Sequence, residues 1–150
     1  MKKSRKKYKK PLVAWDKERI ERERELLKTY GLTEKKEILK TEGLLRKFRR
    51  MARELAAKRD KEREKALIEK LMKLNLLPEN AGLDDVLGLT LENMFERRLE
   101  TVLFRKGLAN TPRQARQFIV HGKVIINERK ISYPSYLVKK NEEEKIQVVK

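Results

Sequence analysis

The side chains whose types and spacing could do chemistry here are cationic, and the chemistry is the holding of phosphate. Arg46, Arg49, Arg50 and Arg53 recur at the i, i+3, i+4, i+7 spacing of one helical face. Lys47 stands beside them and no acid intervenes before Glu54. Most such runs are simply the solvated face of a helix. Four uncompensated guanidinium forks also match the paired oxygens of phosphate. Arg113, Arg116 and Gln117 form a second polar set at i, i+3, i+4, opposite Phe118 and Ile119. A third set opens the chain: Lys2, Lys3, Arg5, Lys6, Lys7, Lys9 and Lys10, with no acid among them. Tyr8 lies inside that arm, where its ring can stack on a base or a ribose.

Other chemistries lack their residues. There is no cysteine, which excludes disulfide scaffolds, Cys-based zinc sites, iron–sulfur clusters and thiol nucleophiles. His121 is the single histidine, with no nucleophile pattern near it. Packing at a helix end and a contact to phosphate or a 2′-hydroxyl are both open to it. Glu142, Glu143 and Glu144 follow Lys139-Lys140 and read as a solvated turn rather than a metal site. No Gly-rich phosphate loop, triad or carboxylate pair is present. The residues therefore imply neither an enzyme nor a cofactor.

The chain has 150 residues, room for one or two small domains. Forty Lys and Arg stand against 23 Asp and Glu, a net charge of +17. No apolar run approaches the ~18–20 residues of a membrane span, and the basic start is not followed by the apolar stretch of a secretory signal. A charge this high is costly in self-repulsion unless a polyanion relieves it, so the expected partner is a polyanion.

The elements that must position these cations follow from local signals. Residues 1–15 read as a basic arm that cannot collapse on itself. Asp16 is a good N-cap, with Trp15 and Ile20 placed as a hydrophobic staple, and Gly31 ends that helix. Thr33 can cap a second helix to about Thr41. Residues 44–59 predict a further, strongly amphipathic helix with Leu44, Phe48, Met51, Ala52, Leu55 and Ala56 on its apolar stripe. Another runs from about Lys65 to Leu74. Residues 16–82 thus form a small all-α unit, closed by the turn residues Pro78 to Gly82. Residues 81–100 carry 2 basic and 5 acidic residues, an acidic break between two basic blocks.

Residues 83–150 predict a denser unit. One helix starts at Thr90 and ends before Gly107. Thr111, Pro112 and Gln114 mark the start of the next with a capping box, and Gly122 stops it. Ala115, Phe118 and Ile119 form its core side, so Arg113 and Arg116 should be replaceable without loss of stability. Residues 123–126, 136–139 and 145–149 read as short strands. Glu128 resists the positive φ of a two-residue hairpin, which points to a longer or different turn at Asn127-Glu128. The class is α+β: a basic arm and helical unit, then two helices on a small, mostly antiparallel sheet. The aromatics Trp15, Phe48, Phe95, Phe104 and Phe118 read as core.

Read as a string, Arg98-Leu99-Glu100, Leu103, Gly107, Thr111 to Gln117, Ile119, Gly122-Lys123-Val124, Asn127, Pro134-Ser135 and Val138 resemble the S-four type RNA-binding domain. Tyr8 to Pro11, Trp15 to Arg19, Tyr30-Gly31-Leu32, the helix from Arg46 to Leu55, and Leu83 to Leu87 extend the likeness. Together they resemble the small-subunit ribosomal protein S-four family in its archaeal and eukaryotic branch. The His121-Gly122-Lys123 corner points to archaea.

The resemblance implies a structural ribosomal protein, not an enzyme, located in the cytoplasmic small subunit. It implies direct binding to small-subunit rRNA at a multi-helix junction, early assembly of the body, neighbouring small-subunit proteins as partners, and proximity to mRNA where it enters. Some bacterial members hold zinc through cysteines, which this chain lacks, and many members carry a tail beyond the last strand. The expected RNA-binding set is the arm, the Arg46 to Arg53 stripe with Lys47, and Arg98, Arg105, Lys106, Thr111, Arg113, Gln114, Arg116, Gln117, His121 and Lys123. A biogenesis factor of the same family acting on precursor rRNA is the alternative. An RNA-modifying enzyme with this domain appended would need a catalytic domain that the basic helical half cannot supply.

Overall fold

The computed structural model describes residues 8–149. Helix α1 (Lys17–Tyr30) starts where Asp16 accepts a hydrogen bond from the Arg19 N–H, and ends at Gly31 with φ 66°. Helix α2 (Lys35–Lys58) is one continuous rod of 24 residues. The expected break between two helices near Gly43 does not occur. Ile38, Leu45, Phe48 and Ala52 are buried along its length, and this packing outweighs the ~1 kcal/mol that a mid-helix glycine costs. Thr33 does not cap it; its N–H and hydroxyl donate instead to the Glu37 carboxylate, at 3.4 and 3.0 Å. Helix α3 (Lys61–Lys73), capped by Asp60, folds back on α2.

Short helices α4 (Leu83–Gly88) and α5 (Leu91–Glu96) follow. The sequence pattern assigns residues 83–100 to the C-terminal unit, but Val86, Leu89 and Met94 share one buried cluster with Leu45, Phe48, Ala52, Leu67 and Leu71. Leu91 and Phe95 join Leu26, Tyr30 and Ile38 in another, where the Tyr30 and Phe95 rings stack at 5.1 Å. Packing therefore groups residues 83–96 with the helical unit. The helix expected from Thr90 to Gly107 is broken at Arg97-Arg98. There the chain turns extended: Arg98 bridges Leu137, the Leu99 N–H donates to the Tyr136 carbonyl at 2.8 Å, and the Val138 N–H donates to the Arg97 carbonyl at 2.9 Å. Strand-like bonds to a distant segment replace the helical ones.

Helices α6 (Leu99–Arg105) and α7 (Pro112–Val120) pack against a three-stranded antiparallel sheet of β1 (Val124–Ile126), β2 (Arg129–Lys130) and β3 (Ile146–Val148), in the order β2-β1-β3. A single helical turn, α8 (Lys140–Glu143), precedes β3 where a solvated turn was expected. Leu99, Leu103, Ala115, Ile119, Val124, Ile126 and Val138 form the core between layers. Residues 136–139 contribute only the isolated bridge at Leu137 rather than a full strand.

Two expectations are corrected locally. Phe118 and Phe104 are half-buried against this core rather than within it. The hairpin at Asn127-Glu128 is a two-residue turn after all. Ile126 pairs with Arg129, and both turn residues take positive φ, 48° and 65°. That combination is a type I′ turn. The sheet pairing on either side imposes the left-handed backbone on Glu128. Glu128→Gly should therefore raise unfolding stability by about 0.5–1 kcal/mol, measured by chemical denaturation.

Candidate nucleic-acid interface

The interface is best built outward from a buried ion cluster. Glu100, on the first turn of α6, is fully buried. Arg98, 3% exposed, lies 3.6 Å from its carboxylate and donates a short hydrogen bond to Glu37 on the first turn of α2. Arg98 also lies over the Phe95 ring at 5.8 Å. Arg116 of α7 reaches into the same cluster, 3.1 Å from Glu37 and 3.4 Å from Glu100. Arg98 is thus removed from the RNA-binding set. A guanidinium buried between two carboxylates cannot meet a phosphate. Arg116 is spent largely on the same acids, so its expected dispensability for stability is also corrected.

The cluster splits the two carboxyl groups apart. Burial raises the Glu100 pKa to about 7 against the attraction of Arg98 and Arg116, with the Glu37 charge adding to the rise. Burial would raise Glu37 as well, but hydrogen bonds from Arg98 and Arg116, and their charges, outweigh it and bring it to about 2.

Helix α7 is seated by a second contact. Gly31 has positive φ, and a Cβ there would lie 2.7 Å from Pro112 Cβ and 3.1 Å from the Pro112 backbone. Only glycine lets the α1 terminus come this close to the start of α7. At that start Thr111 Oγ1 accepts from the Gln114 N–H at 3.1 Å, while Gln114 Oε1 accepts from the Asn110 N–H at 2.7 Å. The reciprocal bond thus goes one residue earlier than a regular capping box, and Thr111 and Gln114 serve the cap. Helix α7 leaves Arg113, Gln117 and Val120 to solvent, with exposed His121 at its C-cap; Arg113, Gln117 and His121 are spaced four apart. They edge a groove whose opposite wall is Leu32 and Thr33 of the α1–α2 link. Exposed Lys123 stands over the Phe118 ring at 5.9 Å.

On α2, Arg46, Lys47, Arg50 and Arg53 are exposed. Arg46 and Arg50 lie within 3.6 and 3.4 Å of Glu42 and Glu54, both exposed i,i+4 pairs of small energy. Arg49 turns inward and donates to the Leu89 carbonyl at 2.6 Å, so it belongs to the fold rather than to the stripe. Lys9 and Lys10 are exposed and Tyr8 is half-buried, while Lys2, Lys3, Arg5, Lys6 and Lys7 lie outside the described residues. Arg105 is exposed but paired with Glu96 at 2.8 Å, and Lys106 donates to the Glu143 carbonyl. Sequence reasoning passed over Arg129 and Lys130, whose strand is exposed along its length. Their signal was the basic side of the hairpin turn. The wall at Leu32-Thr33 had no local signal, because it faces α7 only through the fold.

Among the described residues no group of His, Cys, Asp and Glu could hold a metal ion. No helix among them is long and apolar enough to cross a membrane. Exposed cations on a frame with buried counter-charges suit a polyanionic partner, and residues 97–143 match the S4 domain family. The similarity extends well beyond that domain. The chain is 52% identical over 143 residues to the small ribosomal subunit protein uS4 of Methanococcus aeolicus, covering 93% of this chain and 81% of that one. It is 54% identical over 147 residues to the uS4 of Hyperthermus butylicus, covering 95% and 83%. Against the uS4 of Nanoarchaeum equitans it is 48% identical over 150 residues, covering 97% and 83%. The chain belongs to the uS4 family of small ribosomal subunit proteins.

The buried and exposed cations should separate cleanly under mutation. Arg98→Ala leaves buried Glu100 and Glu37 to Arg116 alone and should cost ~3–5 kcal/mol of unfolding free energy. Arg113→Ala with Gln117→Ala should stay within ~0.5 kcal/mol per site. Denaturant titration of the three proteins tests both values.

The cluster also sets a pH dependence. Between about 4.5 and 7 the folded state holds a proton on Glu100 that the unfolded state has released, so stability should fall as pH rises through that window. Below about 4.5 the unfolded state protonates at Glu37 first, so stability should fall as pH drops toward 2. Glu100→Gln should flatten the upper limb and leave the lower one, as read from denaturation midpoints across pH.

Proposed function

We propose that the chain binds small-subunit rRNA directly at a multi-helix junction and nucleates assembly of the body of the subunit, close to where mRNA enters. Its neighbours there are other small-subunit ribosomal proteins. The observation that carries this reading is the placement of the two cationic faces. Glu37 binds Arg116 of α7, and Arg46 follows nine residues later on the same rod, ~13 Å along its axis. Nine residues at 100° each turn the helix by half a revolution, so the stripe looks away from the α7 side. Two cationic faces turned in different directions suit a branched RNA, whose arms can reach both. A single straight duplex fits them less well.

The chemistry supports recognition by shape. Arg113, Gln117, His121 and Lys123 on one side, and Arg46, Lys47, Arg50 and Arg53 on the other, can meet phosphates and 2′-hydroxyls but present no base-reading pocket. A-form RNA offers little sequence information to such groups, so its fold must supply the selectivity. If ~6–8 phosphates are neutralised, log K should fall against log salt with a slope of several units, and a junction transcript should bind more tightly than plain duplex. Filter binding across salt concentrations measures both; a flat response, or equal affinity for the two RNAs, contradicts the reading. Sedimentation with mature small subunits separates the structural role from a biogenesis role, which would place the protein on precursors alone.

A further inference from the structure

Trp15 is expected to pack on Ile20 as a hydrophobic staple. Instead its indole is 90% exposed, beside Val13 at 65% and a fully exposed Leu12. The segment is nonetheless held. Arg19, one turn into α1, folds back so that Nη2 donates to the Val13 and Ala14 carbonyls at 3.0 and 3.1 Å. Arg19 is in turn 3.8 Å from buried Glu23, which pairs with Lys35 of α2 at 3.1 Å. On the other side of the indole, Asp16 caps α1 and its carbonyl accepts from the Ile20 N–H at 3.0 Å. The backbone around Trp15 is therefore tied to α1, whose Glu23 is in turn paired to α2, while the ring projects into water.

An apolar ring presented in this way contributes nothing to folding through burial, and large apolar groups left exposed in such patches mark interaction sites. Its surroundings indicate what it meets. Lys9 and Lys10 precede it and Lys17 follows, all exposed. An aromatic face between cations is the arrangement that takes an unpaired nucleobase, with the ring on the base and the ammonium groups on the flanking phosphates. Leu12 and Val13 widen the apolar platform, and a pocket on a neighbouring protein is the competing occupant. The cationic flanks favour the nucleic acid.

We propose that Trp15 is a stacking site for an unpaired base of the bound RNA, pre-set by the Arg19 bonds, with Lys9, Lys10 and Lys17 on the adjoining phosphates. This rests on the RNA-binding reading above. Trp15 is the only tryptophan of the chain, so its fluorescence reports the site directly. The probes are a junction-containing small-subunit rRNA transcript and a fully paired RNA duplex, with complex formation followed separately by anisotropy of the labelled RNA. Stacking should quench the emission by more than half in the junction complex and leave it nearly unchanged with the duplex. Trp15→Ala should weaken junction binding about tenfold and Trp15→Phe less than threefold, with unchanged thermal unfolding for both. A complex seen by anisotropy with unaltered Trp15 emission, or full affinity of Trp15→Ala, overturns the stacking alone and leaves a protein pocket as the occupant. No complex with either RNA at low salt overturns the RNA-binding reading and this site with it.

Discussion

A carboxylate with no access to water, Glu100, is the constraint around which the rest of this molecule is arranged. Burying a charge costs several kcal/mol unless partners surround it. The partners of Glu100 come from two places, Arg98 from the break between α5 and α6 and Arg116 from α7, and the same two arginines also hold Glu37, a like charge, at the start of α2. Helical hydrogen bonding is interrupted at Arg97-Arg98, where the extended backbone pairs with Leu137 and carries the Arg98 guanidinium into the cluster. The orientation of α7, and of the groove beside it, follows from the same contacts together with the close approach of Gly31 to Pro112.

The cluster also explains how a chain of charge +17 presents cations outward. Several acids are consumed internally: Glu37 and Glu100 by Arg98 and Arg116, Glu143 by Arg97 at 2.9 Å, and Glu23 by Lys35. Each is paired at the cost of an arginine or lysine that then belongs to the fold. Among the described residues, exposed cations remain along α1, α2 and α3, at the start of α7 and on the β2 hairpin, offset only by weak exposed pairs such as Arg46–Glu42 and Arg50–Glu54. The interior is thereby electrically balanced while the surface is not, which is a suitable arrangement for a partner that is itself a polyanion.

Rigidity makes that surface specific. Helix α2 spans both the buried cluster at its start and the exposed stripe beyond its middle, so the stripe cannot shift relative to α7 without unseating Glu37. Phosphate contacts alone carry no sequence information. What such a protein can select is a spatial arrangement of phosphates, and a fixed spacing between two cationic faces is the means of selecting it.

The sequence by itself determined the parts governed by neighbours along the chain. The Asp16 and Thr111 caps, the Gly31 stop, the apolar stripes of α2 and α7, a small antiparallel sheet with a turn at residues 127–128, the α+β class and the ribosomal family were all legible; strand β2 and the two-residue form of that turn were not. Periodicity and turn chemistry act within a few residues, and the family resemblance rests on fixed spacings. Only the tertiary structure decided which charges are free. Arg98, Arg49 and Arg116 look like their exposed neighbours in the sequence, and Trp15 looks like a core residue. Whether a guanidinium faces water or a carboxylate 61 residues away depends on contacts between distant elements. The same holds for the joining of residues 83–96 to the helical core and for the left-handed backbone of Glu128. Long-range burial and pairing overrode local preference at each of these places, because the free energy of desolvating a charge or completing a core exceeds that of any single turn or cap.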